Sequence, residues 1–322
     1  MLKSRLCIAF FAFAVGCAPA QKPLTDYVNP MLGTATLWDS VDLGFKPTKR
    51  TWGAEVFPGS SLPNAMVQVR PVTKFHSGAG YQYEDSVIYG FTHTNKGHWN
   101  LCHIPLLPVT GTPTPGDYCS PFSHERESAA PGYYQVFLDR YGVDAQLSST
   151  LRCAFHKYTY PAGAAASLLA DLQRSNEHVR AWDIRKEGDN VFAGWQQTGE
   201  KMYFYAVANR PVTGIEPVVE GDREVRIVRF GEGDGALELR IGFSFVSEKN
   251  ARENLEAEML GKSFAEVRSE ATATWNDLLG RIRVEGGTER EKGLFYSSLY
   301  RSFLWPALRS DVNGELTDVD GK

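Results

Sequence analysis

The hydrophobic period of this chain changes once, near Ser247, and that change limits the folds open to it. Upstream, apolar and polar residues alternate at period two, and Leu237-Glu-Leu-Arg-Ile-Gly-Phe-Ser-Phe245 is the clearest run. Arg223-Glu-Val-Arg-Ile-Val-Arg-Phe230 reads as the preceding strand, with Gly231-Glu-Gly-Asp-Gly235 as a hairpin turn between the two. A strand follows those glycines, not a helix, which rules out a nucleotide loop. Further strands are predicted at Tyr133–Leu138, Val143–Ser148, Phe155–Tyr160, Ser167–Leu172, Val191–Gln196 and Met202–Val207. Many short strands with regular turn signals point to an antiparallel β-sandwich.

Downstream of Ser247 the period is helical. Asn250–Leu260 reads as one helix, and Ser263-Phe-Ala-Glu266 is a capping box that starts a second. Phe264, Val267, Ala271, Trp275, Leu278 and Ile282 form its expected buried stripe. Gly286-Gly287 ends that unit, and Thr288-Glu-Arg-Glu291 caps a third helix carrying Leu294, Phe295, Leu299, Phe303 and Leu304, stopped by Pro306. That helix is strongly apolar on one side, and little sequence remains to cover it, so the chain reads as the front part of a longer protein. The expected division is residues 1–20 as a signal peptide, 21–246 as a β-sandwich domain, 247–287 as linker helices and 288–322 as the start of a further domain.

The signal peptide rests on Lys3 and Arg5, the apolar run Leu6–Val15 and the small-x-small site Ala18-Pro19-Ala20. An alternative site, Ala14-Val15-Gly16-Cys17, leaves a lipidated Cys17 and a membrane attachment. Either way the mature protein is exported, to the periplasm or the cell surface. Cys102, Cys119 and Cys153 then remain, an odd number that permits one disulfide and one buried thiol; Cys102 with Cys119 is one pairing that could close a loop. The spacing matches no zinc site. A net charge of -4 without a basic run excludes nucleic acid as a partner, and no G-x-S-x-G motif supports a serine hydrolase.

The densest stretch for function is Phe57 to Trp99, where FPGSSLPNAMVQVRP is followed by GYQYEDSVIYGFTHTNKGHW. Flat aromatic faces amid His, Asn and Asp are how proteins hold sugars, and a packed sandwich edge is the alternative. Five blocks, VNPMLGT (28–34), FPGSSLPNAMVQVRP (57–71), IYGFTHT (88–94), VSEKNARENLEAE (246–258) and FYSSLYRSFLWPALRSDVNGEL (295–316), resemble in order the calcium-dependent α-mannosidases of glycoside hydrolase family 92.

That resemblance implies a β-sandwich followed by linker helices and an (α/α)6 barrel, with residues 288–306 as the first, truncated barrel helix. It implies an inverting α-mannosidase acting on an α-mannose-containing glycan, with Ca2+ as cofactor. The catalytic acid, the base and the calcium ligands would lie beyond Lys322, so no catalytic or metal-binding residue is assigned here. The matching positions would supply a wall of the substrate pocket. They are Phe57 and Gly59 in a turn, His93 as a hydroxyl partner or equally a satisfied structural histidine, Trp99 as a platform for the leaving-side sugar or a packed indole at a domain interface, and Asp311, which reads first as a turn residue and second as a substrate contact. Asn29 and Gly33-Thr34 are candidates for the pocket floor, and His93, His98 and His103 match no metal motif. The loop Asn95–Asn100 and the run 35–56, with Trp38 and Trp52, depart from the family pattern, which makes the α-mannoside class firmer than any linkage. The competing readings are a sugar-binding β-sandwich module without chemistry and a surface lipoprotein scaffold.

Overall fold

Alternation builds the sheets as expected. In Lys201–Ala208 the side chains of Met202, Phe204, Ala206 and Ala208 turn inward while their neighbours face out. The computed structural model describes residues 22–37, 41, 44–46, 56–96, 99–233 and 235–318. The signal segment 1–20 with Cys17, and Trp38, Trp52 and His98, lie outside the described residues.

Two antiparallel sheets carry the first part of the chain. The eight-stranded sheet runs in the order 181–188, 191–197, 201–208, 237–244, 153–159, 143–149, 133–138 and 127–130. The seven-stranded sheet runs in the order 60–61, 68–72, 90–92, 106–109, 167–170, 223–230 and 212–220. Residues of both, among them Val69, Leu106 and Ile227 from one and Tyr134, Phe204 and Ile241 from the other, share one buried core.

One expected pairing is corrected. Arg223–Phe230 and Leu237–Ser244 do not form a hairpin, because the first pairs with Val212–Glu220 and Ser167–Ala170 and the second with Cys153–Thr159 and Lys201–Ala208. The glycine-rich segment between them crosses from one sheet to the other. Alternation shows that each strand buries one face on the core; it does not name the neighbour.

Three helices follow: α1 (Glu248–Glu258), α2 (Phe264–Leu279) and α3 (Glu289–Ser302). Both expected capping boxes are present, at Ser263 with Glu266 and at Thr288 with Glu291. α1 lies directly on the eight-stranded sheet, and Gly242 makes that possible: a Cβ there would stand 2.1 Å from the Ala251 carbonyl oxygen. α2 buries Phe264, Val267, Ala271, Trp275 and Leu279. Ile282, expected on the same stripe, lies beyond the helix end and is exposed.

The expectation that the final helix lacks a partner is corrected for one of its faces, while Leu294 and Phe295 stay uncovered. α3 buries Tyr296, Ser297 and Tyr300, and Leu304 just beyond it, against Trp275, Leu279, Phe57 and the short 3-10 turn Leu24–Tyr27. Tyr27 stacks on Tyr296 at 5.6 Å, and Trp275 meets Tyr300 at 4.4 Å. The Asn29 backbone N–H donates to Ser297 Oγ at 2.9 Å. Leu294 and Phe295, on the opposite side, are exposed.

Candidate functional site

The structure sorts the five sequence-predicted residues into one exposed and four buried. Trp99 is 48% exposed, on a two-stranded ribbon formed by Asn95–Lys96 and Trp99–Asn100. Phe57 is buried in the aromatic cluster under α3, with the Arg70 guanidinium over its ring at 3.9 Å. Gly59 is a close-approach position, where a Cβ would stand 2.4 Å from the Val69 carbonyl oxygen and 2.9 Å from Arg70 Cβ.

His93 lies in the core and not at a surface. Its Nδ1 donates to the His103 carbonyl at 3.4 Å, and its Nε2 faces His156 Nε2 at 3.1 Å. His156 Nδ1 in turn faces the Tyr158 hydroxyl at 2.5 Å. The chain is satisfied when both rings are neutral, with Tyr158 donating to His156 and His156 to His93. Burial drives the same way, holding His93 at about 3 and His156 well below its usual range.

Asp311 is 2% exposed and closes the turn to Gly314. Its carboxylate accepts from Ser244 Oγ at 2.6 Å, Asn250 Nδ2 at 2.8 Å and Asn254 Nδ2 at 2.7 Å. It therefore staples the segment after α3 to α1 and the sheet. Among the candidates for the pocket floor, Asn29 Oδ1 accepts from the Met31 N–H at 2.9 Å, and Gly33 takes φ +88°, a turn geometry. Cys102, Cys119 and Cys153 are all free thiols, so the Cys102–Cys119 loop is not closed.

Sequence reasoning missed the groups beneath this seam. Gln68 and Arg70 alternate with Val67 and Val69 and face away from the sandwich core. Gln68 Nε2 donates to the Leu304 carbonyl at 2.7 Å, but its Oε1 has no partner. Arg70 is fully buried; its Nη2 donates to the Thr94 carbonyl at 3.3 Å, while Nε and Nη1 have no partner among the described residues. Burial lowers this guanidinium to about 9. Tyr300 Oη and Arg301 Nη2, on the facing end of α3, are also buried without partners. Buried polar groups are rarely left unpaired, so four at one seam mark it as a place built for more than packing. The available signal was a charge within a short apolar strand bounded by prolines.

A second anomaly adjoins it. Cys102 and Ile104 both take φ +53°, and the segment between them is fully buried. Left-handed geometry is a true outlier for a β-branched residue, and such strain gathers at functional sites. It presents His103, whose Nδ1 meets Thr94 Oγ1 at 2.8 Å and whose Nε2 meets Thr198 Oγ1 at 2.9 Å. Thr198 donates onward to Glu177 Oε2 at 2.5 Å. Its hydrogen bonds to His103 and Thr198 hold Glu177 down to about 2. A hydrogen-bonded line thus runs from Arg70 through Thr94, His103 and Thr198 to Glu177.

These groups can bind and orient hydroxyls. Inverting hydrolysis of a glycoside needs two carboxyls about 6.5–9.5 Å apart with room for water, and the Asp311 carboxylate is already occupied. Among the described residues no group of three or more His, Cys, Asp or Glu could hold a metal ion. No helix among them is long and apolar enough to cross a membrane.

Residues 27–254 match the family model of the glycosyl hydrolase family 92 N-terminal domain, and residues 250–322 match that of the family 92 catalytic domain. An uncharacterized secreted glycosidase of Arthroderma benhamiae is 24% identical over 344 residues, covering 90% of this chain and 42% of that protein. A family 92 α-mannosidase of Bacteroides thetaiotaomicron superposes with a TM-score of 0.82 at 25% identity, covering 94% of this chain and 43% of its own. Its complex with mannoimidazole gives 0.82 at 26% identity, with 94% and 42% covered. The chain thus spans about two fifths of the length of these relatives.

Proposed function

Because this chain belongs to glycosyl hydrolase family 92, we propose that it is the N-terminal part of an exported, inverting α-mannosidase that removes terminal α-mannosides from glycans. Family membership supports a glycoside hydrolase, and the superposition on an α-mannosidase, in one case bound to mannoimidazole, supports the mannoside. The likeness to a secreted glycosidase supports export, through cleavage after Ala20 or lipidation of Cys17. The acid, the base and the residues that would hold Ca2+ are assigned to the (α/α)6 barrel in the share of the relatives that this chain does not match.

The observation that carries this reading is the seam between sandwich and α3, where Gln68, Arg70, Tyr300 and Arg301 leave buried hydrogen-bonding atoms unpaired. In this reading the seam backs the sugar pocket, and Trp99 is the platform for the leaving-side sugar. The test compares hydrolysis of an aryl α-mannoside by residues 22–322 with that by the same chain continued through a full family 92 barrel. The longer protein should be active with Ca2+ and the shorter one silent. Trp99→Ala in the longer protein should raise KM with less effect on kcat. Turnover by residues 22–322 alone would sink the placement of acid and base.

A further inference from the structure

At one edge of the sandwich the chain leaves Ser167–Ala170 in the seven-stranded sheet and crosses to Ala181–Gly188 in the eight-stranded sheet. The crossing segment floors a cleft of about 820 Å³, with Arg223 of the seven-stranded sheet on one wall and Trp182 of the eight-stranded sheet on the other. Arg174, Arg180, His76 and His178 complete its basic lining.

The floor is rigidly held. Ser175 Oγ donates to the Leu101 carbonyl at 2.6 Å, and Asn176 Nδ2 to the Asn100 carbonyl at 2.6 Å. Gln196 Nε2 reaches the carbonyls of Leu172 and Arg174, each at 2.9 Å. Asn176 Oδ1 accepts from the His76 N–H at 2.6 Å and fixes that residue at φ +58°, a conformation an L residue adopts only when its surroundings impose it.

The charges do not cancel within the cleft. Asp171, fully buried behind the wall, takes Arg223 Nη2 at 2.5 Å and the Tyr118 hydroxyl at 2.7 Å. Arg174 faces that phenol at 3.2 Å and lies over the rings of Phe75 and Tyr89, with no carboxylate partner among the described residues. Arg180 is exposed, and its guanidinium makes no ion pair among the described residues. Glu177 is the one carboxylate in the lining, and it is engaged by Thr198 and His103.

We infer that this cleft binds an acidic sugar residue, one carrying a carboxylate, sulfate or phosphate. The indole of Trp182, half-buried on the core with the Arg226 guanidinium 5.3 Å from its ring centre, leaves only its remaining exposed side for the sugar ring, and Arg174 and Arg180 offer forked donors for the oxyanion. A plain solvated surface would not combine a fixed floor, an aromatic wall and guanidinium groups lacking counter-charges.

The test is calorimetric titration of the intact protein with glucuronate, glucose 6-sulfate, glucose and inorganic sulfate at low salt. The acidic sugars should bind at least about tenfold more tightly than glucose or sulfate, and the gap should narrow as salt rises. Arg180→Glu, at an exposed position that leaves the core intact, should abolish that preference. Arg281→Glu, which changes the charge equally on another surface, should leave it unchanged. Glucose binding as tightly as glucuronate, sulfate binding as tightly as glucose 6-sulfate, an unaltered preference in Arg180→Glu, or no heat with any ligand would each overturn the assignment.

Discussion

The two sheets share a core and differ in almost everything else. The eight-stranded sheet is built mostly from strands of six to eight residues, in two runs of sequence neighbours on either side of Leu237–Ser244, with burial that alternates along residues 143–147 and Lys201–Ala208. No strand of it holds a buried side-chain polar atom without a partner, among the described residues. The seven-stranded sheet begins with strands of two, five and three residues, buried on both faces. Its strands hold the unpaired atoms of Gln68, Arg70 and Arg226. All four non-glycine residues with left-handed φ among the described residues, Asn64, His76, Cys102 and Ile104, lie beside those first strands. One sheet is optimised to fold. The other accepts local cost where the candidate site and the basic cleft are built.

The contrast can be broken most directly in the regular sheet. Phe204→Ala removes a fully buried ring that meets Phe192, and should cost about 3–5 kcal/mol by urea denaturation. A loss under about 1 kcal/mol would mean that this sheet is not the rigid member of the pair.

A smaller effect lies where the sheets meet, at His93 and His156. Both stay neutral in the fold, His93 down to about 3, whereas an unfolded histidine takes up a proton near pH 6.5. Stability should therefore be level above about pH 6.5 and fall as pH drops toward 3. Glu177, held at about 2, adds a further loss as pH falls below the ordinary carboxylate range, muted by its partial exposure. Denaturation midpoints against pH should show this slope, and His93→Gln should reduce it by about one proton. A midpoint flat from pH 7 to 4 would contradict the neutral pair.

The smallest effect has the opposite sign. Arg70→Met keeps the volume and removes a buried cation that has no carboxylate partner, so stability should rise by about 1–3 kcal/mol while mannoside affinity falls. A destabilised variant with unchanged affinity would make Arg70 a structural residue, and the seven-stranded sheet would lose its distinction.

Legibility in the sequence followed the same divide. Most strands from Tyr133 onward and both capping boxes are readable because their signals are local, whereas Ala181–Gly188 and Val212–Glu220, whose burial does not alternate, are not predicted. Strand partners were not, since alternation is blind to the neighbour; the false hairpin at Gly231–Gly235 came from that. In Gln68–Val72 both faces are buried, so no alternation exists to read. Sequence leaves His93 open between a sugar contact and a structural role, and reads Asp311 as a turn residue without its staple, because what satisfies their side chains is remote: His156 in one case, Ser244, Asn250 and Asn254 in the other. The covered face of α3 was missed for the same reason, its partner lying near the start of the chain.

That last contact has a consequence for the order in which the molecule is made. Thr25 accepts a hydrogen bond from Asn276, and Asn29 donates one to Ser297, across 251 and 268 residues. The turn at Leu24–Tyr27 is made about 250 residues before the helices that form its resting place. Closing so long a loop adds only about 0.6 kcal/mol per doubling of length, so the finished clasp is not weakened by the distance. The delay is what matters. Leu24 and Val28 stay open to water, and to any chaperone, until α2 and α3 have been made, and their arrival removes both residues from the solvent.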